Sequence, residues 1–123
     1  MRFVIIGGDA AGMSAASRAR RNDPEMEIIV LEQGQDVSYS ACNIPYNIAD
    51  PDREIDDLVV RGAQTFREKL AIDLRAGHRV ERIDRAVKTV YGSKQDGSPF
   101  SHAYDALLIA TGADPIRPAL PGI

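Results

Sequence analysis

The sequence is poor in cysteine: its 123 residues include one cysteine, Cys42, and no tryptophan. A single cysteine cannot form an internal disulfide, which excludes a fold held together by its own disulfides and predicts a reducing, cytoplasmic location. It also excludes an internal dithiol–disulfide pair as a redox centre. The sequence therefore leaves one thiol whose purpose has to be explained.

Positive charge and long apolar runs are scarce as well. Lysine and arginine total 15 against 18 acidic residues, so we expect no nucleic-acid partner and no binding to anionic membranes. The longest apolar runs have four or five residues, far short of the roughly 20 that a membrane helix needs. His78 and His102 lie apart without other ligands at metal spacing. We predict no metal site and expect both histidines on the surface.

The first 32 residues have the pattern of a βαβ unit. Hydrophobic residues make up 44% of the chain and charged residues 27%, which suits a packed core. An apolar run at 3–6 predicts a buried strand, residues 10–21 predict a helix that stops before Asp23-Pro24, and residues 28–31 predict a second buried strand. The sequence therefore predicts an α/β fold with a parallel sheet and a right-handed crossover.

The remaining sequence predicts shorter elements. Residues 33–52 predict a loop with a short helix after Pro45, and a turn is predicted at Asp96-Gly97. The other predicted elements are a helix at 64–70, short strands at 72–74, 80–83, 86–90 and 100–104, and a fully buried strand at 106–110. We expect some of these strands to form a small antiparallel insertion.

A glycine-rich turn joins the first strand to the first helix. Gly7 and Gly12 bracket this turn, and Glu32 follows Gly12 by 20 residues at the end of the second strand. Such a turn exposes backbone N–H groups and a positive helix end to a pyrophosphate, and an acid at this distance can bind a ribose hydroxyl. Asp9 stands where a second glycine is usual, so we expect its side chain to point away from the phosphates. The alternative is a tight turn followed by an ordinary surface glutamate.

Cys42 lies in a polar segment, Ser38-Tyr39-Ser40-Ala41-Cys42-Asn43-Ile44-Pro45-Tyr46. Pro45 can occupy the first turn of a helix, and the ten residues after Glu32 span at most about 33 Å, so the sulfur can reach the far end of a dinucleotide. The alternative is a small buried hydrophobic residue. A redox-active Cys42 would have to cycle through a mixed disulfide, a persulfide or a sulfenic acid.

A third segment, Ala110-Thr111-Gly112, ends the last predicted strand and allows the backbone to approach a cofactor closely. The alternative is a core strand and a turn. The three segments, in this order, resemble the flavin-dependent pyridine nucleotide-disulfide oxidoreductases. The likeness is strongest to their single-cysteine branch of coenzyme A-disulfide reductases, NADH oxidases and NADH-dependent persulfide or polysulfide reductases. It covers almost the whole chain.

The resemblance implies a Rossmann-like FAD/NAD(P)-binding domain that is incomplete. Residues 1–123 would be the N-terminal part of the FAD-binding domain, with the NAD(P)H-binding and dimerisation domains outside this chain and a homodimeric full-length protein. FAD would be the cofactor and NAD(P)H the co-substrate. The fragment alone would be inactive.

The resemblance also implies roles for individual residues, with Cys42 as the catalytic residue beside the flavin. The implied cofactor-binding residues are Gly7, Ala10, Ala11, Gly12, Glu32, Gln33, Val80, Ala110, Thr111 and Gly112, and the implied substrate-binding residues are Ser14, Arg18, Arg21 and Ser38. The chain departs from the family pattern at Ala41, where asparagine is frequent, and at Asn43, where a small residue is usual.

The implied activity is NAD(P)H-dependent reduction of coenzyme A-disulfide, persulfide or polysulfide through Cys42. Two alternatives stay open: an NADH oxidase that uses a cysteine sulfenate, and a flavin- or nucleotide-binding module without catalysis.

Overall fold

The computed structural model describes residues 1–50, 52–59, 62–114 and 116–120. Within these residues the chain forms three α-helices and seven strands. In chain order they are β1 (Arg2–Ile6), α1 (Ala10–Asn22), β2 (Glu27–Leu31), α2 (Ile44–Ala49), α3 (Ala63–Leu70), β3 (Asp73–Arg75), β4 (His78–Asp84), β5 (Thr89–Lys94), β6 (Pro99–Ala103) and β7 (Ala106–Ile109). Short 3-10 helices cover Ala41–Asn43 and Ile55–Leu58.

A four-stranded parallel sheet forms the centre, in the order β3-β2-β1-β7. Side chains alternate between its two faces along each strand. Ile5 of β1 packs with Ala16 of α1 and Phe66 of α3 on one face. Val4 of β1 packs with Val90 of β5 on the other. Helices and the antiparallel sheet therefore cover opposite faces, which explains why β1 and β2 read as continuous apolar runs.

The second sheet is antiparallel, in the order β4-β5-β6, and its β5–β6 turn contains Gly97 as predicted. The predicted strand at 86–90 is wrong, because residues 85–88 form a turn and β5 begins only at Thr89. The Asp84 carboxylate accepts hydrogen bonds from the backbone N–H groups of Ala86 and Val87. Lys88 then has φ +47°, which completes the reversal.

The strand predicted at 106–110 is present as β7, but it is not fully buried. It lies at the edge of the parallel sheet, where β1 is its neighbour in the described part of the chain. Its first three residues are half-buried and the Ile109 side chain is 60% exposed. An apolar run cannot distinguish a central strand from an edge strand.

The histidines also differ from expectation. Both are half-buried between the two sheets rather than on the surface, and their rings lie on either side of Phe100, with centroid distances of 5.0 Å and 5.6 Å. His102 Nε2 lies 2.9 Å from Nη1 of Arg75, which follows Leu74 at the end of β3. Separately, no described helix has both the length and the apolar character that crossing a membrane requires.

Candidate functional site

The glycine turn brings the end of β1, the start of α1 and the end of β7 into direct contact. Gly7 has φ +108°, and a Cβ at this position would lie 2.2 Å from the carbonyl oxygen of Ala110. A Cβ on Gly12 would lie 1.9 Å from the carbonyl oxygen of Gly7. Only glycine fits at both positions, because the backbone packs closely at each.

The start of α1 has backbone N–H groups without intrahelical acceptors. The first helical hydrogen bond joins the Met13 N–H to the Asp9 carbonyl oxygen at 2.9 Å, so the preceding N–H groups of the first turn have no intrahelical acceptor. The first turn holds no acidic residue, whereas Arg20 and Arg21 lie in the last turn. The basic last turn agrees with the helix dipole, and the carboxylate nearest to the positive end is that of Asp9, at the N-cap position.

Asp9 precedes α1 without capping it. Its Oδ1 atom is buried and has no hydrogen-bond partner in the described part of the chain. An unpaired buried carboxylate oxygen is unusual, because such groups normally find a donor.

Glu32 has a fixed carboxylate at the end of β2. Its Oε2 accepts the N–H of Gly8 at 2.7 Å and its Oε1 accepts the N–H of Gly34 at 2.7 Å. The side chain therefore spans the glycine turn and the loop after β2. It is not an ordinary surface glutamate, although each oxygen keeps a lone pair for a further donor.

A cleft of about 540 Å³ opens at the carboxyl ends of the parallel strands; we call it the strand-end cleft. Of the predicted cofactor-binding residues, it is lined by Gly7, Glu32, Gln33, Val80, Ala110, Thr111 and Gly112. Ala10, Ala11 and Gly12 lie in the first turn of α1 and do not line it. His78 and Arg79 also line it. Sequence reasoning missed these two because nothing local shows that β4 begins beside Glu32.

The loop after β2 returns to the glycine turn. The Ser38 N–H donates to the carbonyl oxygen of Gly8 at 3.0 Å, and Ser38 has φ +53°, an uncommon conformation for serine. The next residue, Tyr39, forms a β-bridge with Val59. These contacts fix the path of the chain immediately before Cys42.

Cys42 lies in the 3-10 helix Ala41–Asn43, immediately before α2, and its side chain is exposed. The Ser40 hydroxyl lies 3.3 Å from its sulfur, at hydrogen-bonding distance. The thiol is therefore not a buried hydrophobic residue, which removes the structural alternative raised by the sequence.

Cys42 lines a second cleft of about 660 Å³, which we call the cysteine cleft. Three of the predicted substrate-binding residues line it together with Cys42: Ser14, Arg21 and Ser38. Arg18 is exposed and does not line it. The cleft also contains Ser17, which is only 8% exposed.

The two clefts share a wall. Asp9, Tyr39 and Ala41 line both of them, so the cysteine cleft adjoins the strand-end cleft directly. No group of three or more potential metal ligands occurs within the described residues. The exposed thiol and the carboxyl ends of the parallel strands therefore lie on either side of a wall that Asp9, Tyr39 and Ala41 form.

The parallel sheet, the glycine turn and the antiparallel insertion define a Rossmann-like α/β domain of the FAD/NAD(P)-binding type. Comparison with known proteins gives a narrower class. The sequence pattern of the family described as "Pyridine nucleotide-disulphide oxidoreductase" matches residues 1–123. The chain belongs to this family, whose members use FAD with NAD(P)H.

Individual relatives are similar over nearly the whole chain. An NADH oxidase of Methanocaldococcus jannaschii is 34% identical over 99% of this chain and 27% of its own length. An NAD(P)H coenzyme A polysulfide/persulfide reductase of Pyrococcus horikoshii is 38% identical over 99% of this chain and 26% of its own length. The solved NAD-dependent persulfide reductase from A. fulgidus has a TM-score of 0.91 and 40% identity, covering 98% of this chain and 22% of that one. The chain thus spans about a quarter of the length of these relatives.

Proposed function

We propose that this chain is the N-terminal part of the FAD-binding domain of a longer NAD(P)H-dependent flavoenzyme. That enzyme would reduce the sulfur–sulfur bond of coenzyme A-disulfide, a persulfide or a polysulfide through Cys42. The observation that carries the proposal is the shared wall, because it separates the exposed thiol from the strand-end cleft by a single layer of residues. The two similar proteins named as persulfide reductases support the choice of substrate class.

The strand-end cleft fits the demands of FAD. Gly7 lines this cleft without a side chain, and the first turn of α1, which Gly7 and Gly12 hold close against β1 and β7, would offer N–H donors to pyrophosphate oxygens. Glu32 would accept from the adenosine ribose, Gln33 and Val80 would border the adenine, and Thr111 and Gly112 would line the rest of the cofactor. FAD would supply the transfer of electrons between the nicotinamide and sulfur.

The chain's own residues would bind and position the sulfur substrate. Arg21 supplies a positive charge and a forked set of donors to the cysteine cleft, which suits a phosphate or carboxylate on the substrate. Ser14 and Ser38 add hydroxyl donors to the same cleft. Cys42 would attack the substrate disulfide as a thiolate and form a mixed disulfide, since the chain offers no second cysteine.

Water-forming NADH oxidation is the second candidate, favoured by the similarity to the NADH oxidase of Methanocaldococcus jannaschii. In that case Cys42 would cycle between a thiolate and a sulfenate as oxygen is reduced. The exposure of Cys42 suits this chemistry too.

The test is Cys42→Ser in the full-length protein. We expect NADH-dependent release of thiol from coenzyme A-disulfide or a persulfide to fall by at least about 100-fold, because serine cannot form the mixed disulfide. Exposed Ser101→Ala, on β6, is the matched control and should retain full activity.

Oxygen consumption separates the two candidates. The protein would be an oxidase if the wild-type enzyme releases no thiol but consumes oxygen with NADH, and if Cys42→Ser abolishes that oxygen consumption. Unchanged disulfide and oxygen reduction would leave a flavin-binding module without catalysis and contradict the proposal.

A further inference from the structure

We propose that the aromatic ring of Tyr39 packs against the flavin end of FAD in the strand-end cleft. The inference rests on the proposed function, which places FAD in that cleft and lets its flavin exchange electrons with Cys42. Tyr39 belongs to the wall between the strand-end cleft and the cysteine cleft, together with Asp9 and Ala41. The flavin therefore belongs next to this wall, and Tyr39 is the residue of the wall that suits it.

Tyr39 supplies the aromatic side chain of the wall. Ala41 offers only a methyl group, and Asp9 carries a carboxylate. The flat, largely apolar ring system of a flavin finds its best contact on another aromatic ring, since aromatic pairs are more favourable than their buried area alone predicts. Ligand sites combine such surfaces with a few polar groups that fix orientation, and Glu32 is a polar group of this kind in the same cleft.

Tyr39 is accessible to a ligand. It is 40% exposed, whereas Val37, two residues earlier, is 2% exposed and packs in the core. The loop after β2 thus buries one of its large side chains and leaves the other at the edge of two clefts. Covering the exposed part of Tyr39 with a cofactor removes apolar area from water, which favours binding.

The backbone holds Tyr39 in place on both sides. The Ser38 N–H donates to the carbonyl oxygen of Gly8 at 3.0 Å, and the Ser40 N–H donates to the carbonyl oxygen of Leu58 at 2.6 Å. Tyr39 itself forms the β-bridge with Val59. All of these contacts use main-chain atoms, so they would survive a change of the Tyr39 side chain. A residue held in this way is preorganised, and little entropy is lost when a ligand packs against it.

The experiment titrates FAD into the full-length protein from which FAD has been removed. For Tyr39→Leu we expect the Kd of FAD to rise about three- to tenfold, because leucine fills similar space but lacks the flat ring. The visible absorption bands of bound flavin should also differ from those in wild type, because a neighbour of the flavin ring has changed. Tyr39→Phe keeps the ring and should restore the Kd to within about twofold of wild type.

Tyr91→Leu is the matched control. Tyr91 lies on β5 with the Arg82 guanidinium 4.1 Å from its ring centroid, and it lines neither cleft. This variant should bind FAD as wild type does. A rise in Kd as large as that of Tyr39→Leu would show a general loss of structure and overturn the proposal.

The remaining outcomes are equally decisive. Equal Kd values for wild type and Tyr39→Leu would overturn the proposal. A raised Kd with unchanged flavin absorption bands would do the same, because it would move the contact away from the flavin. Failure of wild type to bind FAD would contradict the proposed function and this inference with it. The titration involves no turnover, so its outcome is independent of the Cys42→Ser test.

Discussion

At the scale of single residues, a glycine turn after β1 and an acid at the end of β2 were predictable from the sequence, whereas the hydrogen bond from the Gly8 N–H to Glu32 was not, because it joins residues far apart in the chain. Ser40 and Asp9 were not predictable in the same way. The sequence did not indicate that Asp9 Oδ1 would be buried or that the Ser40 hydroxyl would lie 3.3 Å from the Cys42 sulfur. The loop beyond β2 returns to Gly8, where the Ser38 N–H donates to the Gly8 carbonyl oxygen. Position within a motif identified the thiol, but only the folded loop reveals which hydroxyl faces it.

Gly12 allows the residue-scale constraint to be tested directly. Gly12→Ala would force a Cβ to within 1.9 Å of the Gly7 carbonyl oxygen, so backbone atoms must move. We expect the free energy of unfolding in urea to fall by about 3 kcal/mol or more. Gly62→Ala is the matched control, because a Cβ there meets no atom within 4 Å. Equal urea midpoints for the two variants would contradict the packing described for the glycine turn.

At the scale of elements, the buried strands β1 and β2 and the helices α1 and α3 were predicted correctly within a few residues. The errors have different physical causes. Strand propensity at 86–90 was overridden by a local contact, since the Asp84 carboxylate accepts hydrogen bonds from residues two and three positions further on and stabilises a turn. The burial predicted at 106–110 depended on the position of the strand within the sheet, which is an edge in the described part of the chain and which local composition does not encode.

The contact between Arg75 of β3 and His102 of β6 predicts how the stability of the fold depends on pH. Burial lowers the pKa of His102 below its usual value of 6.5, and the nearby Arg75 guanidinium lowers it further. The folded state therefore binds this proton less tightly than the unfolded chain. The stability from neutral His102 is fully present above pH 6.5 and is lost as the pH falls from there towards the lowered pKa.

Urea titrations across this pH range check the sign. His102→Gln cannot be protonated, so its free energy of unfolding should decline less steeply than that of wild type as the pH falls. Ser101→Gln, a change at the adjacent exposed position on β6, should keep the wild-type slope. A steeper decline in His102→Gln would contradict the assigned direction of the pKa.

At the scale of the whole molecule, the chain spans about a quarter of the length of its relatives. The described surface exposes several large apolar side chains, among them Tyr46 at 63% and Ile48 at 79% on α2. The segments that resemble a known family lie at the start, middle and end of the chain, so the class of protein was predictable. The strand-end and cysteine clefts adjoin because the glycine turn and the loop after β2, which are distant in sequence, both line the two clefts.

We predict that the 123-residue chain by itself does not catalyse NADH-dependent disulfide reduction. With FAD, NADH and coenzyme A-disulfide added together, we expect no NADH oxidation above the rate of a protein-free mixture. The physical reason is that the proposed function assigns nicotinamide binding to a domain outside these residues. Absorbance at 340 nm follows the reaction, and the full-length protein is the positive control. Robust disulfide-dependent oxidation of NADH by the 123-residue chain alone would contradict the expectation that nicotinamide binds to a domain outside these residues.

The partition formed by Asp9, Tyr39 and Ala41 has a thermodynamic consequence. A molecule that restricts these residues from one side alters the free energy of binding on the other, and linkage requires the effect to be reciprocal. If an occupant of the strand-end cleft changes the affinity of the cysteine cleft by some factor, an occupant of the cysteine cleft changes the affinity of the strand-end cleft by the same factor. Under the proposed function, the binding of cofactor and the binding of substrate would therefore report the same coupling free energy.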